Sequence, residues 1–330
     1  MQFLLNDTKR VRRLLFRLCV CALAVGMLLS LVACGDGEGS VPPTGAYTFV
    51  DDVGTEIRIS TRPGRVAVLF SSFADIWVCA GGEVAITVGE AVERGFADTS
   101  AILVDDGAGK TVNLEALIAA APELVICSAD IEKQVQAARV LNQNGIPAAC
   151  FTVESFDQYL RVLKIFTDLT EQPTAYKMHG TEVQARIDAM LEQLEGREPT
   201  HGQILFVRAG SSASSTKAKN PSQHFAAAML EQIGTYNIAQ AAPVLLDGLS
   251  IEEILRADPD YIFISTMGDA DAAKQNVEAL FQSEAWSTLR AVQNKNYVYL
   301  PKDLFQFKPN ARWDEAYEYL IGLVYGDEAS

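Results

Sequence analysis

The stretch "SIEEILRADPDYIFIS", Ser250 to Ser265, decides the fold. It reads as a short amphipathic helix, an Asp-Pro-Asp break, then a strand rich in apolar and β-branched residues. The chain has almost said it before. At Asn113 to Ser128, 137 residues earlier, it reads "NLEALIAAAPELVICS". Glu115 aligns with Glu252, Pro122 with Pro259, and Glu123 with Asp260. A helix–break–strand unit repeated at that separation implies two α/β lobes, each holding it once.

Working outward, strands and helices alternate around both copies. "YTFVDDVGTEIRIS" predicts a hairpin about Asp52–Gly54. "RVAVLF" is a buried strand, "FADIWVCAGG" a helix closed by glycines, and "AITVGE" the next strand. After the first repeat come a helix in "IEKQVQAARVLNQNG", a strand in "IPAACFTV" and a helix in "SFDQYLRVLKIFTDLT". Pro173 to Glu195 reads as one longer helix, with Pro173 in its first turn and Gly180 weakening its middle. The pattern then restarts with "GQILFVRAG", the polar loop "SSASSTKAKNPS", the helix "QHFAAAMLEQIG", the second repeat, the strand "NYVYLP" and the closing helix "RWDEAYEYLIGLVYG". The fold class is therefore α/β: two Rossmann-like lobes with mostly parallel sheets joined by one long connecting helix.

The start of the chain has another purpose. "KRVRRLLFR" is a basic n-region and "LCVCALAVGMLLSLVA" an apolar run of about 16 residues, shorter than the ~20 of a membrane span. "LVAC", ending at Cys34, resembles the lipobox of bacterial lipoproteins, in which that cysteine carries the lipid and becomes the new N-terminus. A Gly/Pro/Ser tether follows. The expected organisation is a signal peptide at 1–33, a tether at 34–46, a first lobe at 47–172, a connecting helix at 173–196 and a second lobe at 197–330. The whole chain has net charge −15; without the five basic residues and one acidic residue of 1–33 it keeps 22 Lys and Arg against 41 Asp and Glu, or −19. Such a balance disfavours nucleic acid and anionic lipid surfaces. Cys79, Cys127 and Cys150 form no CxxC; Cys127 and Cys150 end apolar runs and read as buried thiols, with a disulfide between them as the alternative.

Lipobox, two lobes and one connecting helix together resemble the class III substrate-binding proteins of ABC importers for ferric siderophores, haem and cobalamin. "DDVGTEIRIS-TRPGRVAVL" is similar to that family's opening hairpin and Pro-x-Arg-Val strand. "NLEALIAAAPELVI" is similar to its Asn-Leu-Glu…Pro-Asp-Leu-Val-Ile segment, with Glu123 in place of the usual Asp. The resemblance runs over roughly residues 47–325. It implies a monomer anchored outside the cell membrane by lipid, with no catalytic activity and no cofactor. It implies a ligand held between the lobes and delivered to a permease dimer driven by ATPase subunits. It also carries permease-docking roles onto Glu115 and Glu252, with Glu253 a substitute in the second lobe. Their plainer reading is two helix-start acids favoured by the helix dipole.

No G-x-S-x-G, Walker A or G-x-G-x-x-G sequence supports an enzyme. Only His179, His201 and His224 occur, too few and too scattered for a bare metal site. Cleft residues are expected at the carboxyl ends of strands. They are Ser71, Ser72, Phe73 and Arg94 in the first lobe, beside Glu90 and Phe96. In the second lobe they are Arg208, Lys217, Lys219, His224, Phe305, Arg312 and Trp313, beside Phe307 and Lys308. The lysines also read as solvated loop charges, Arg312 and Trp313 as the packed start of the last helix, and His224 as a helix-start residue. The basic set invites an anionic ligand and the rings a flat chelate. A ferric siderophore is the expected ligand, with haem and cobalamin open. The competing function is a lipid-anchored sensor or scaffold with no transport role.

Overall fold

The computed structural model describes residues 46–105 and 111–326. The signal-peptide reading, Cys34 and the tether up to residue 45 lie outside the described residues.

β1 (Tyr47–Val50) and β2 (Glu56–Ile59) pair antiparallel about a turn in which Gly54 takes φ +82°. The first parallel sheet has strands β3 (Val66–Val68), β4 (Ile86–Thr87), β5 (Ile102–Leu103), β6 (Leu124–Ser128) and β7 (Ala148–Phe151), in the order β5-β4-β3-β6-β7. Its helices are α1 (Ser71–Cys79), α2 (Gly89–Glu93), α3 (Leu114–Ala119), α4 (Glu132–Gln143) and α5 (Phe156–Leu169). The second sheet runs β10 (Tyr236–Asn237), β8 (Gln203–Ala209), β11 (Tyr261–Thr266), β12 (Tyr297–Tyr299), all parallel, with β9 (Lys217–Ala218) antiparallel on β8. Its helices are α8 (Phe225–Gln232), α9 (Ile251–Ala257), α10 (Ala270–Phe281), α11 (Arg290–Gln293), α12 (Lys302–Phe305) and α13 (Trp313–Tyr325).

The apolar side chains sort by the two-residue period of a strand. Ile204 and Phe206 of β8 point into a core that also holds Val66, Ile126, Phe166 and Trp313. Leu205, Val207 and Ala209 point the other way, into a second core beneath α10. The outer face of the first sheet has its own core around Ala67, Val125 and Leu141.

The repeat holds down to individual hydrogen bonds. Glu123 accepts from the backbone N–H groups of Gly64 and Arg65, just before β3, and Asp260 accepts from that of Gln203, which opens β8. Arg65 donates to the carbonyl of Ala120 and Gln203 to that of Ala257, so the end of α3 and the end of α9 are tied in the same way. Ala121 and Asp258, each just before the proline, both turn left-handed, at φ +48° and +44°. The right-handed helical region is disfavoured before proline, and this sharp reversal sends the chain into its strand.

Several features differ from the sequence reading: the Gly89–Glu90 end of the expected strand "AITVGE" opens α2 instead, and β5, β10 and α12 lie where no element was expected. The connecting helix is not continuous: α6 (Pro173–Tyr176) and α7 (Glu182–Gln193) flank a π-turn at Lys177–Thr181. There the carbonyl of His179 accepts from the Tyr159 hydroxyl, and a Cβ on Gly180 would stand 3.1 Å from Leu160, so the swollen turn presses its glycine onto α5. The polar loop after β8 is not all loop, since Lys217 and Ala218 pair back onto β8. α10 and α11 fill a stretch to which the sequence reading assigned no element. Cys127 and Cys150 face each other across β6 and β7 as buried free thiols, which decides against the disulfide.

Candidate functional site

β8 and β9 build the second lobe's basic patch. Antiparallel pairing sets Arg208 opposite Lys217, and the backbone N–H of Lys219 donates to Phe206. Burial lowers the ammonium of Lys219 from its ordinary proton affinity, and the charges of Arg208 and Lys217 lower it further. His224 caps α8, its Nδ1 accepting from the backbone N–H of Ala226, with its ring between Phe206 and Phe225 at 4.7 and 4.8 Å. Burial holds it neutral, well below its usual range; Lys308, Arg208 and Lys219 push the same way. Arg208, Lys217, Lys219, Lys308 and His224 thus meet in one electrostatic neighbourhood.

Lys308 also reaches the first lobe. Its Nζ lies 2.6 Å from Glu154 and 4.6 Å from the ring centre of Phe225. Desolvation lowers its proton affinity, while Glu154 and Asp130 support the charge. Behind this pair a cavity of about 170 Å³ opens between the start of α5, α7, α8 and α13. Glu154, Asp157 and Asp188 line it, which suits it poorly to an anion.

In the first lobe Arg94 donates to Ser71 Oγ at 2.8 Å and Ser72 Oγ at 3.5 Å. Ser71 in turn donates to Glu90. The guanidinium lies 4.7 Å from the ring centre of Phe96 and 3.8 Å from that of Phe307, a second-lobe residue. Asn310 makes the other crossing. From a left-handed backbone at φ +51° its amide donates to the carbonyl of Ser72 and, at 2.8 Å, to Asp75. Burial raises the Asp75 carboxyl above the usual range.

The remaining expected residues sit elsewhere. Phe73 turns into the core against Phe70 and Phe151, leaving Phe70 half-buried at the strand end. Phe305 is fully buried, and Trp313 packs between Phe156 and Phe225, also in the core. Trp313 turns inward as the first residue of α13, and Phe305 as the last of α12. Arg312 is exposed and held by Asp303 and Glu315, two carboxylates that hold its proton above the ordinary range. Glu115 and Glu252 are exposed on α3 and α9, while Glu253 is paired with Arg256 at 3.0 Å. The sequence reading missed Asp75, Glu154 and Asn310. The only signal for Asn310 was its place after Pro309 in a run of polar residues. Among the described residues no group of three His, Cys, Asp or Glu could hold a metal ion, and no helix is long and apolar enough to cross a membrane.

A family model described as "periplasmic binding protein" matches residues 66–304. No curated protein matches the chain. Solved structures similar to it include a periplasmic solute binding protein from Veillonella parvula (18% identity, 86% of this chain and 87% of that one, TM-score 0.63). Another is the siderophore binding protein BauB, bound to a complex between two molecules of acinetobactin and ferric iron (15% identity, 86% and 99%, TM-score 0.67). A third is Staphylococcus aureus IsdE complexed with heme (14% identity, 79% and 98%, TM-score 0.64). At these identities the likeness is one of fold.

Proposed function

The chain belongs to the periplasmic binding protein family, in the class III form whose two α/β lobes share one connecting segment, and from that premise we propose that it captures an anionic ferric chelate for an ABC importer. The family binds solutes rather than transforming them. The observation that carries the ligand class is the convergence of Arg208, Lys217, Lys219 and Lys308 in a chain of net charge −15, while Arg94 of the first lobe stacks on Phe307 of the second. A charge-assisted hydrogen bond is worth about 1.5–3 kcal/mol, so three or four give an anion strong preference over a neutral solute. Phe96 and Phe307 stack on Arg94 and supply flat apolar surface beside the charge. Haem wants an axial side chain, whereas neutral His224 accepts its helix-cap hydrogen bond at Nδ1, which places its proton on Nε2 and leaves that nitrogen no lone pair for iron. A siderophore-type chelate fits better.

On this reading the ligand enters between the lobes and leaves when the loaded protein docks on a permease dimer. Cys34 carries the lipid that keeps the protein at the outer face of the cell membrane, as the lipobox-like "LVAC" implies. Native mass spectrometry of the full chain, extracted in detergent from its source cells, tests both parts. An added mass of an iron chelate, and a diacylglyceryl group on Cys34, are expected. A corrinoid or porphyrin mass would overturn the ligand class, and an unmodified Cys34 the anchor.

A further inference from the structure

Arg208 and Lys217 stand directly opposite each other on β8 and β9, so their side chains leave the same face of the ladder. Lys219 completes a cationic group, since both charges act on its ammonium. None of the three has an ion pair among the described residues. Like charges directly opposite each other destabilise a strand pair. The ladder that must hold them apart from solvent is short, pairing only Val207 with Ala218 and Arg208 with Lys217. A small two-stranded hairpin is marginal by itself, so something else keeps this one closed.

A polar knot at the base of its loop does so. Thr216, buried at 2% exposure, comes immediately before Lys217. Its Oγ1 accepts from the backbone N–H of Gly210 at 3.1 Å and from Asn276 Nδ2 at 2.9 Å. The carbonyls of Ser212 and Gly210 lie 2.9 and 3.2 Å from the same hydroxyl. A hydroxyl has one proton and two lone pairs. That proton goes to the nearer carbonyl, Ser212, and Asn276 Nδ2 serves the carbonyl of Gly210 at 3.1 Å with its other proton. The loop folds back so closely that a Cβ on Gly210 would collide with Ser215. Asn276 belongs to α10, so both ends of the loop are tied to a helix of the lobe and not only to each other.

We infer that Thr216 and Asn276 are positioning residues, which clamp Lys217 beside Arg208 against their mutual repulsion and so make a seat where one anion bridges both cations. This rests on the anionic-ligand reading above and deepens it. Neither residue touches the ligand; both act through Lys217. With the clamp cut, repulsion opens the hairpin and carries Lys217 into solvent. A bound anion replaces that repulsion with two charge-assisted contacts, made at once because the cations are already side by side.

The test uses the full chain extracted in detergent and reads backbone hydrogen exchange over residues 206–219 by mass spectrometry. Each variant is compared with wild type at about 10 mM and about 1 M sodium chloride, where charges are screened beyond roughly 30 and 3 Å. At low salt Asn276→Ala should exchange about tenfold faster than wild type, and at high salt much less so. Thr216→Val should behave alike, and Thr216→Ser, which keeps the hydroxyl, as wild type. Adding Lys217→Met to Asn276→Ala should remove the salt dependence. Wild-type exchange in Asn276→Ala, equal acceleration at both salts, or acceleration that survives Lys217→Met would each reduce the knot to ordinary packing and overturn the inference. Calorimetry with an iron(III) catecholate complex as the probe separates the clamp from the ligand reading. Asn276→Ala and Lys217→Met should each lose about tenfold in affinity, and the double variant about the same, because one acts through the other. Additive losses would overturn the positioning role. The expected exchange, with no binding of the probe by wild type, would keep the clamp and remove the anionic-chelate reading.

Discussion

Lys308 of the second lobe places its Nζ 2.6 Å from Glu154 of the first, beneath a helix cap made by a neutral histidine. Burial holds the lysine's proton affinity below its ordinary value of 10.5, with Glu154 opposing that shift. The unfolded chain therefore binds this proton more tightly than the folded one. The contribution to stability rises as pH climbs toward 10.5, and at neutral pH the buried ammonium costs the fold. A group kept at a cost invites a role in binding. Lys308→Met should leave the melting temperature unchanged or raise it, while ligand affinity falls about tenfold or more. Paired calorimetry and thermal melts check this. A lower melting temperature with unaltered affinity would make Lys308 a structural tie only.

His224 gives a second pH signature. Its folded-state proton affinity lies well below the ordinary value of 6.5, through burial first and the Lys308, Arg208 and Lys219 charges after it. Below that pH the unfolded chain takes a proton that the folded chain refuses, so stability drops as pH falls, by at most about 1.4 kcal/mol per unit. Asparagine caps helices well and does not titrate. The melting temperature of His224→Asn should therefore decline less steeply than wild type between pH 7 and 5. Parallel slopes would show that the histidine is not what titrates.

Gly81 and Gly82 close α1 for different reasons. Gly81 takes φ +80°, the left-handed stop of a helix. Gly82 has no such angle, yet a Cβ there would lie 2.2 Å from the ring of Trp77, which is 1% exposed and donates through Nε1 to the carbonyl of Glu83. The ring has nowhere to go. Gly82→Ala should cost about 3 kcal/mol, at the upper end for overpacking. Chemical denaturation measures this, and a loss under about 1 kcal/mol would mean that the tryptophan yields.

The lobes were legible because a parallel strand must be apolar on both faces and a helix on one, and the repeat displayed both patterns twice. "VNLEALIAAAPELVICS" could hardly be read otherwise. α10 passed unread because its buried Ala273, Val277 and Phe281 are diluted by the polar residues between them, and its signal is the Asp269 cap. The basic patch could be foreseen from Arg208, Lys217 and Lys219, which lie near one another in sequence. The crossings between lobes could not. Lys308 meets Glu154, and Asn310 meets Asp75, across 154 and 235 residues. Arg312 looked like Lys308 in sequence, but Asp303 and Glu315 answer its charge locally. Lys308 is paired as well, but its carboxylate lies in the other lobe, a difference that only packing shows.

The two exposed acids, Glu115 and Glu252, lead to the last expectation. Each lies in the first turn of its helix, where the dipole favours a carboxylate by about 0.3–1 kcal/mol. If that were their whole purpose, reversing both charges would lower stability slightly and change nothing else. On the importer reading they steer the loaded protein onto a permease, one acid per subunit, and reversal sets like charges against each other at both contacts. Glu115→Arg with Glu252→Arg should therefore abolish uptake of the co-purifying ligand in cells. Its affinity for the isolated protein should stay the same, because neither residue is among the charges that act on Arg94, Lys219, His224 or Lys308. Glu253→Arg should matter less, since Glu253 is tied to Arg256. Uptake assays and titration calorimetry on the same variants separate the cases. Normal uptake with both charges reversed returns the pair to helix capping, and lost ligand affinity moves them into the cleft.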